Sequence, residues 1–431
     1  MKCSILAEKI KNGGLDAALC ALYGEDRLEY QRERYHAAAQ SFISTYGDKD
    51  VELFSVPGRT EISGNHTDHN NGKVICGSVD IDIISVAAKT DNGVISLKSD
   101  GYRESVIDLS SVSPDTVKPG CSAALIAGVA DWFVKNSRKV GGFCAFTKSD
   151  VIMGSGISSS AAFEVMAGEI LNEFFNGGEI GAMELAKAGQ YAENVFFGKP
   201  CGLMDQAACA MGGISYIDFA DPSVPYAEKL TFDPAAAGKE LCLINTGGSH
   251  AKLTDQYAAL PAEMKQVAAH FGKPVLRMVH KDAFFDAIPE LRAECGDRAV
   301  LRAIHYFEEN DRVENQRAAI KRGDYAGFFR LLQRSGDSSY KFLQNVFCAE
   351  NTAEQGISLA LALCDCLGVT ARVHGGGFAG TVQAWPGPEQ KEALKREIER
   401  IFGEGSCMFL KIRPYGAICV TREFTAEAQA R

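Results

Sequence analysis

The sequence predicts an α+β protein in two parts behind a helical leader, and three observations carry that prediction. Residues 1–50 repeat apolar side chains at helical spacing. Residues 51–240 open on β-rich runs, then pass from a strand through a Gly/Ser-rich turn into a helix. Near residue 240 the pattern restarts with a short buried strand, after which helices alternate with strands that return antiparallel. The expected divisions are therefore 1–50, 51–240 and 241–431.

In the leader, Leu15, Ala18, Leu19 and Leu22 make one apolar face, and Tyr35, Ala38, Phe42 and Ile43 make another. That pattern fits helices packed on the body or a lid. Residues 51–56 alternate as a strand, 73–89 hold two β-rich runs, and 94–98 form a further strand after Asp91-Asn92-Gly93. Between the first two lies the long polar stretch PGRTEISGNHTDHNNG, residues 57–72, which reads as a loop. A helix is expected over 119–137, a strand over 141–148 and a helix over 183–197, followed by the polar loop GKPCGLMDQAACAMGG. The second part shows a strand at 241–245, helices near 255–272, 298–322, 324–346 and 352–367, and a Gly-rich turn at 374–380 between strands. A charged helix at 389–402 precedes a last strand pair around 407–422.

Composition limits the function. Of 431 residues, 46% are hydrophobic and 23% charged, as in soluble globular proteins. The net charge of -10, with no dense Lys/Arg run, argues against nucleic acid or an anionic membrane as partner. An anionic substrate must be met by local positive groups. Fourteen scattered cysteines lack zinc-site spacing and read as reduced, buried thiols of a cytoplasmic protein. No apolar run approaches transmembrane length, and residues 1–14 lack the apolar core of a secretory signal.

The stretch VIMGSGISSSAA, residues 151–162, stands out. Gly154 and Gly156 remove side chains where a backbone approaches something closely, and Ser158, Ser159 and Ser160 lead into a helix. Free N–H groups and the positive dipole end would meet an anion there, so the stretch reads as a phosphate cradle. It reads equally as a Gly/Ser turn capping an ordinary helix.

Four motifs in order break that tie. Gly58-Arg59-Thr60-Glu61-Ile62-Ser63-Gly64-Asn65-His66-Thr67-Asp68-His69-Asn70, the Gly/Ser turn, Pro200-Cys201-Gly202-Leu203-Met204-Asp205-Gln206 and Gly375-Gly376-Gly377-Phe378-Ala379-Gly380-Thr381 together resemble the GHMP kinases, and within them the galactokinases. The resemblance spans about residues 50–425. It implies a mixed-sheet N-terminal domain, a ferredoxin-like C-terminal domain, and a cleft where ATP and a sugar meet.

It also implies roles. Asp205 would be the catalytic base for a sugar hydroxyl, and Arg59 would keep it ionised and stabilise the transferred phosphoryl group. Gly154, Ser155, Gly156, Ile157, Ser158, Ser159 and Ser160 would wrap the ATP phosphates, and Ser160 with Glu193 would hold Mg2+. Asn65, His66, Asp68, Gly202 and Tyr257 would hold the sugar, and residues 375–380 would pack under the phosphate loop. Ser99 is an adenine-side candidate. Taken singly, these residues have plainer readings: a helix cap for Asp205, a surface ion pair for Arg59, a solvated charge for Glu193, a helix residue for Tyr257 and a tight turn for 375–380.

The chain also departs from the family pattern. Asn65 stands where the family has Glu, His69 where it has Tyr, and Ile152 where it has Pro. The basic pair usual after the sugar-site tyrosine is replaced by Ala258-Ala259-Leu260-Pro261. An Asn facing the sugar's C6 would not repel a carboxylate there. The expectation is a galactose 1-kinase. The alternatives are a kinase for a related sugar such as galacturonate or arabinose, and a non-catalytic sugar sensor, which the intact Ser160-Ala161 disfavours.

Overall fold

A computed structural model describes residues 1–151, 156–248, 253–349 and 351–429. The leader folds as helices α1 (Cys3–Lys11), α2 (Asp16–Tyr23) and α3 (Leu28–Tyr46). The first sheet takes β1 (Glu52–Ser63), β2 (Lys73–Lys89), β3 (Val94–Ser99), β4 (Ser105–Asp108), β5 (Phe143–Ser149), β6 (Ile214–Asp218) and β7 (Tyr226–Leu230), interleaved with α4 (Ser122–Lys135), α5 (Ser159–Asn176), α6 (Ala182–Tyr191) and α7 (Met204–Met211). The second sheet begins with β8 (Leu241–Asn245). A helical stretch follows: α8 (Thr254–His270), α9 (Lys281–Asp286), α10 (Ile288–Cys295), α11 (Asp297–Lys321), α12 (Tyr325–Ser338) and α13 (Gly356–Cys366). The chain closes with β9 (Thr370–His374), β10 (Thr381–Trp385), α14 (Pro388–Phe402), β11 (Cys407–Leu410), β12 (Ile418–Cys419) and α15 (Val420–Gln429).

The second sheet runs β11-β8-β10-β9, all antiparallel, which is the ferredoxin-like order. The first sheet runs β12-β1-β2-β5-β3-β4, with β6 and β7 continuing from one half of β2. Only β3 and β5 pair in parallel among its described strands, so the sheet is mixed.

Side-chain alternation splits the first sheet between two cores. Phe54, Ile83 and Ala145 face α4 to α7, while Leu53, Ile84 and Phe146 face the leader. The leader is therefore part of the body. Leu6, Ile10, Leu19 and Phe42 are all fully buried there, and each such side chain stabilises the docking by roughly 1.5–3 kcal/mol.

Three local expectations differ from the structure. Residues 73–89 form one strand, because β2 is paired by β1, β5 and β6 on either side of a bridge from Val79 to Ile412. β1 does not stop at Val56 but runs to Ser63, with register shifts at Gly58 and Ile62. Its polar residues looked like a loop, yet Arg59, Thr60, Glu61 and Ser63 are buried. Finally, the last two strands are not partners: β11 pairs with β8, and β12 returns to β1.

All fourteen cysteines are free. Among the described residues no helix is long and apolar enough to cross a membrane.

Candidate active site

The centre of the site is an ion pair between β1 and the first turn of α7. Arg59 Nε donates to Asp205 Oδ1 at 2.6 Å and its Nη2 to Oδ2 at 2.9 Å. Arg59 Nη1 donates to the Gly156 carbonyl, and Ser158 Oγ donates to Asp205 Oδ2. Burial alone would raise the Asp205 pKa, but Arg59 and the Ser158 hydroxyl outweigh it and hold the carboxyl below its usual value. A carboxylate has about four lone-pair positions. Three are taken here, which leaves one on Oδ1, and the side chain is 32% exposed. The arrangement is an ionised, oriented base with one open acceptor position.

Helix α5 starts beside it. Ser158 has φ 59° and ψ 60°, and its hydroxyl makes no cap bond to the helix. The expected capping serine is instead an Asp205 partner. Gly156 has φ 71°, and a Cβ there would overlap Thr381 Oγ1, so a glycine lets the loop lie directly on the second sheet. Gly154, Ser155 and the departure at Ile152 lie outside the described residues; Ile157 is fully buried.

Ser160 Oγ lies 3.3 Å from Glu193 Oε1. Glu193 sits in a π-turn, Ala192–Phe197, that widens the end of α6 and turns its carboxylate inward, to 3% exposure. Its Oε2 accepts from Gln206 Nε2 at 3.0 Å. One hydroxyl and one fixed carboxylate are a hard-oxygen donor set that suits magnesium completed by phosphate oxygens and water. Among the described residues no group of three or more His, Cys, Asp or Glu side chains could hold a metal alone, so such an ion would depend on the nucleotide.

The residues expected to hold a sugar gather on the other side of Arg59. Asp68 abuts Gly202 so closely that a Cβ on Gly202 would overlap its carboxylate. His66 Nε2 lies 3.0 Å from the Gly376 carbonyl. A carbonyl only accepts, so Nε2 carries the proton. Burial, with His69 beside it, lowers the His66 pKa to about 3, which leaves a neutral ring with Nδ1 as acceptor. Tyr257 donates from its hydroxyl to the Gly377 carbonyl at 2.6 Å and stands edge-on to Phe378. Gly376 makes room for the Tyr257 ring, since a Cβ there would lie 2.6 Å from it. The 375–377 segment thus packs between the sugar-side residues and Arg59, whose Nη2 would lie 3.7 Å from a Cβ on Gly375.

Asn65 differs from expectation. It is fully buried. Its Nδ2 donates to Glu61 Oε1 at 3.0 Å and to the Gly375 carbonyl at 2.8 Å. Its Oδ1 accepts from Asn345 at 2.8 Å and Ser339 at 3.2 Å. An amide makes about four hydrogen bonds, and all four are made within the protein, so its side chain ties the 375–377 segment to β1. Ser99 accepts a hydrogen bond from Thr147 Oγ1 at 2.8 Å.

Several residues that hold the site were missed in the sequence. Glu61 forms a buried ion pair with Arg372 at 2.7 Å. His374 Nε2 accepts from the Glu61 N–H at 3.1 Å, so its Nδ1 carries the proton toward Thr381. Gln206 bridges Glu193 and the buried Glu164, each at 3.0 Å. Lys199 lies 3.3 Å from Glu193. Of these, Glu61 and Gln206 stand inside the quoted motifs, and Lys199 and His374 in the loops beside them, but nothing local marks which groups they meet.

A family model for the GHMP kinases N terminal domain matches residues 124–213, and one for the galactokinase galactose-binding signature matches residues 40–89. The galactokinase of Actinobacillus pleuropneumoniae serotype 3 is 31% identical over 370 residues, covering 84% of this chain and 92% of that protein. The Homo sapiens galactokinase is 30% identical over 396 residues, covering 88% and 95%. Lactococcus lactis galactokinase, solved in complex with galactose, superposes with a TM-score of 0.75 at 23% identity, covering 88% of this chain and 98% of that one. A mevalonate kinase superposes less closely, at a TM-score of 0.55 and 16% identity over 84% of this chain.

Proposed function

The chain belongs to the galactokinase family of the GHMP kinases, an ATP-dependent sugar kinase by descent and fold, and from that premise we propose that it transfers the γ-phosphoryl group of ATP to the C1 hydroxyl of galactose in the cytoplasm. The observation that carries this reading is the Arg59–Asp205 fork. A sugar hydroxyl is a poor nucleophile at neutral pH, and the open position on Asp205 Oδ1 can accept its proton. Arg59 keeps Asp205 ionised and adds positive charge where the phosphoryl group passes. Gly156 to Ser160 lead into α5, whose first-turn N–H groups have no partner within the helix and can meet phosphate oxygens. Ser160 and Glu193 would hold Mg2+, which neutralises phosphate charge when bound. His66, Asp68, Gly202 and Tyr257 would orient the sugar, while Asn65 acts by fixing the segment at 375–377. A coupled assay with ATP, magnesium and a panel of sugars tests the reading. Galactose is expected to be turned over best. A preference for galacturonate or arabinose would change the substrate, and no turnover of any sugar would make the chain a sensor.

Two outcomes follow from the geometry. Ser160→Ala and Glu193→Gln should each raise the magnesium needed for half-maximal rate, because a site that keeps several waters weakens when it loses one ligand. Unchanged magnesium dependence in both would remove the assignment. Gly202→Ala should displace the Asp68 carboxylate and cut kcat/KM for the sugar by on the order of a hundredfold, the scale of an ångström's misplacement. The KM for ATP should stay within about twofold. Steady-state kinetics with each substrate varied in turn separates the two effects.

A further inference from the structure

Lys199 belongs to none of the residues given a role so far, yet its placement is specific. The π-turn closes with Gly198 at φ 84°, and the N–H groups of Gly198 and Lys199 both donate to the Glu193 carbonyl, at 3.0 and 3.1 Å. The Lys199 stem is therefore pinned to the backbone of Glu193. Its ammonium lies 3.3 Å from Glu193 Oε1, the same oxygen that faces Ser160. The Lys199 side chain is 66% exposed, against 4% for Glu193. The lysine is anchored at its base and free to swing at its head.

Charge bookkeeping shows what that head is for. The chain is net acidic, at -10, and a nucleotide brings several negative charges. Arg59 directs Nε and Nη2 at Asp205 and Nη1 at Gly156, so three of its five N–H groups are already engaged. Lys199 sits at the Ser160–Glu193 edge of the site, and the Asp205 carboxylate also acts on its ammonium. A divalent cation on Glu193 Oε1 and Ser160 Oγ would repel the ammonium from that oxygen. Only the lysine end of the pair is exposed, and a cation on Glu193 would supply the charge that the ammonium now supplies to the buried carboxylate, so the ammonium can leave without stranding it. The oxygens nearest to such a cation are those of the phosphates it accompanies, and a compact ammonium on a flexible stem suits them.

We propose that Lys199 is a phosphate-contacting residue of the nucleotide site, its ammonium passing from Glu193 to the phosphate oxygens of ATP as the metal takes Glu193. This rests on the reading of Ser160 and Glu193 as metal donors. The contact with phosphate itself needs no metal, which separates the two claims.

The test is calorimetric titration of the full-length protein with ATP in excess EDTA, using wild type, Lys199→Met, Lys199→Gln and Lys199→Arg. The Met and Gln variants should bind metal-free ATP about tenfold more weakly, the low end for a hydrogen bond to a charged group, and Arg should keep most of the affinity. Glu193→Gln should move the other way and bind metal-free ATP more tightly, because it releases the ammonium. That gain should shrink when Lys199→Met is added. A structural lysine would lower the melting temperature in Met and Gln variants without these opposed shifts. Unchanged affinity for metal-free ATP in Lys199→Met and Lys199→Gln overturns the proposal. Binding of ADP with Mn2+ to Glu193→Gln reports on the metal donors separately: an unchanged affinity there removes the metal reading and leaves the Lys199 contact to be judged by the EDTA titration.

Discussion

Asp205→Asn is expected to lose at least about a hundredfold in turnover, the low end for general-base catalysis, while binding sugar and ATP almost normally. The amide keeps the shape of the carboxyl but offers one acceptor oxygen instead of two. Arg59 needs both, at 2.6 and 2.9 Å. Whichever way the amide turns, it loses one arm of that fork or its bond to Ser158, and it has no affinity for a proton. Calorimetry should therefore show near-normal dissociation constants, while the coupled assay shows the loss. The pH profile follows from the same geometry. Burial opposes the charge on Asp205, Arg59 and Ser158 favour it, and the net result lies below the usual carboxylate value. On the proposed role, the carboxylate is then ionised at neutral pH, and turnover should fall away only as pH drops through that lowered value. A variant that turned over at near wild-type rate would move the base elsewhere.

The chemistry of the site was legible in the sequence because its parts lie in short motifs. Arg59, Asp205, Ser160 and Glu193 were each named from the family resemblance, and the structure brings the first two into contact and the last two to 3.3 Å. What was not legible is how the parts are held. Glu61 and Arg372 are 311 residues apart in sequence, and Asn65 and Asn345 are 280 apart. Pairs of this kind leave no periodicity, and a buried polar run such as the one in β1 looks like a loop until its distant partners are known. Asn65 was expected to face the sugar because it stands where the family that the motifs resemble has a Glu that does so. Three of the four bonds of its amide go to Gly375, Ser339 and Asn345, which no window around residue 65 contains. Lys199 was passed over for a related reason. Its relation to Glu193 depends on a π-turn, and nothing in the order of residues 192–197 distinguishes such a turn from an ordinary helix end.

The fold shows the same division. Apolar periodicity marked the leader helices correctly, but it left open whether they pack on the body or act as a lid. The deciding contacts are polar and distant: Arg34 on α3 reaches Asp82 on β2 at 2.7 Å, and Arg413, from the other end of the chain, reaches the same carboxylate at 2.9 Å. The β-rich run 73–89 holds two aspartates, Asp80 and Asp82, and nothing in the sequence marks the second as a junction. It becomes one only when three segments far apart in sequence meet on it.

That junction sets the largest stability effect expected in the molecule. Asp82 is fully buried and accepts from Arg34, Arg413, Ser55 and Tyr23, the last at 2.6 Å. Arg34 also holds the carbonyls of Asp82 and Lys148, at 2.8 and 3.0 Å, and Arg413 that of Gly416 at 3.2 Å, so neither guanidinium can turn to solvent when its carboxylate is lost. Asp82→Asn removes the negative charge, leaves two buried guanidiniums facing each other and puts an N–H group where one of them donated. Breaking a buried ion pair from one side typically costs about 3–5 kcal/mol; Arg34 keeps Asp150 at 3.3 Å, and Arg413 is left without its carboxylate. The expected outcome is a loss of that size in urea unfolding at pH 7, with the slope against urea unchanged. The effect should also depend on pH with a definite sign. Burial would raise the Asp82 pKa, but Arg34 and Arg413 bring it below its usual value. A carboxyl lowered in the folded state contributes stability above its unfolded value near 3.9 and loses it as pH falls through the folded one. The gap between wild type and Asp82→Asn should therefore be full at neutral pH and close below about pH 4. A gap of under about 1 kcal/mol at pH 7 would mean that the leader and the C-terminal segment are held to β2 by their apolar faces alone.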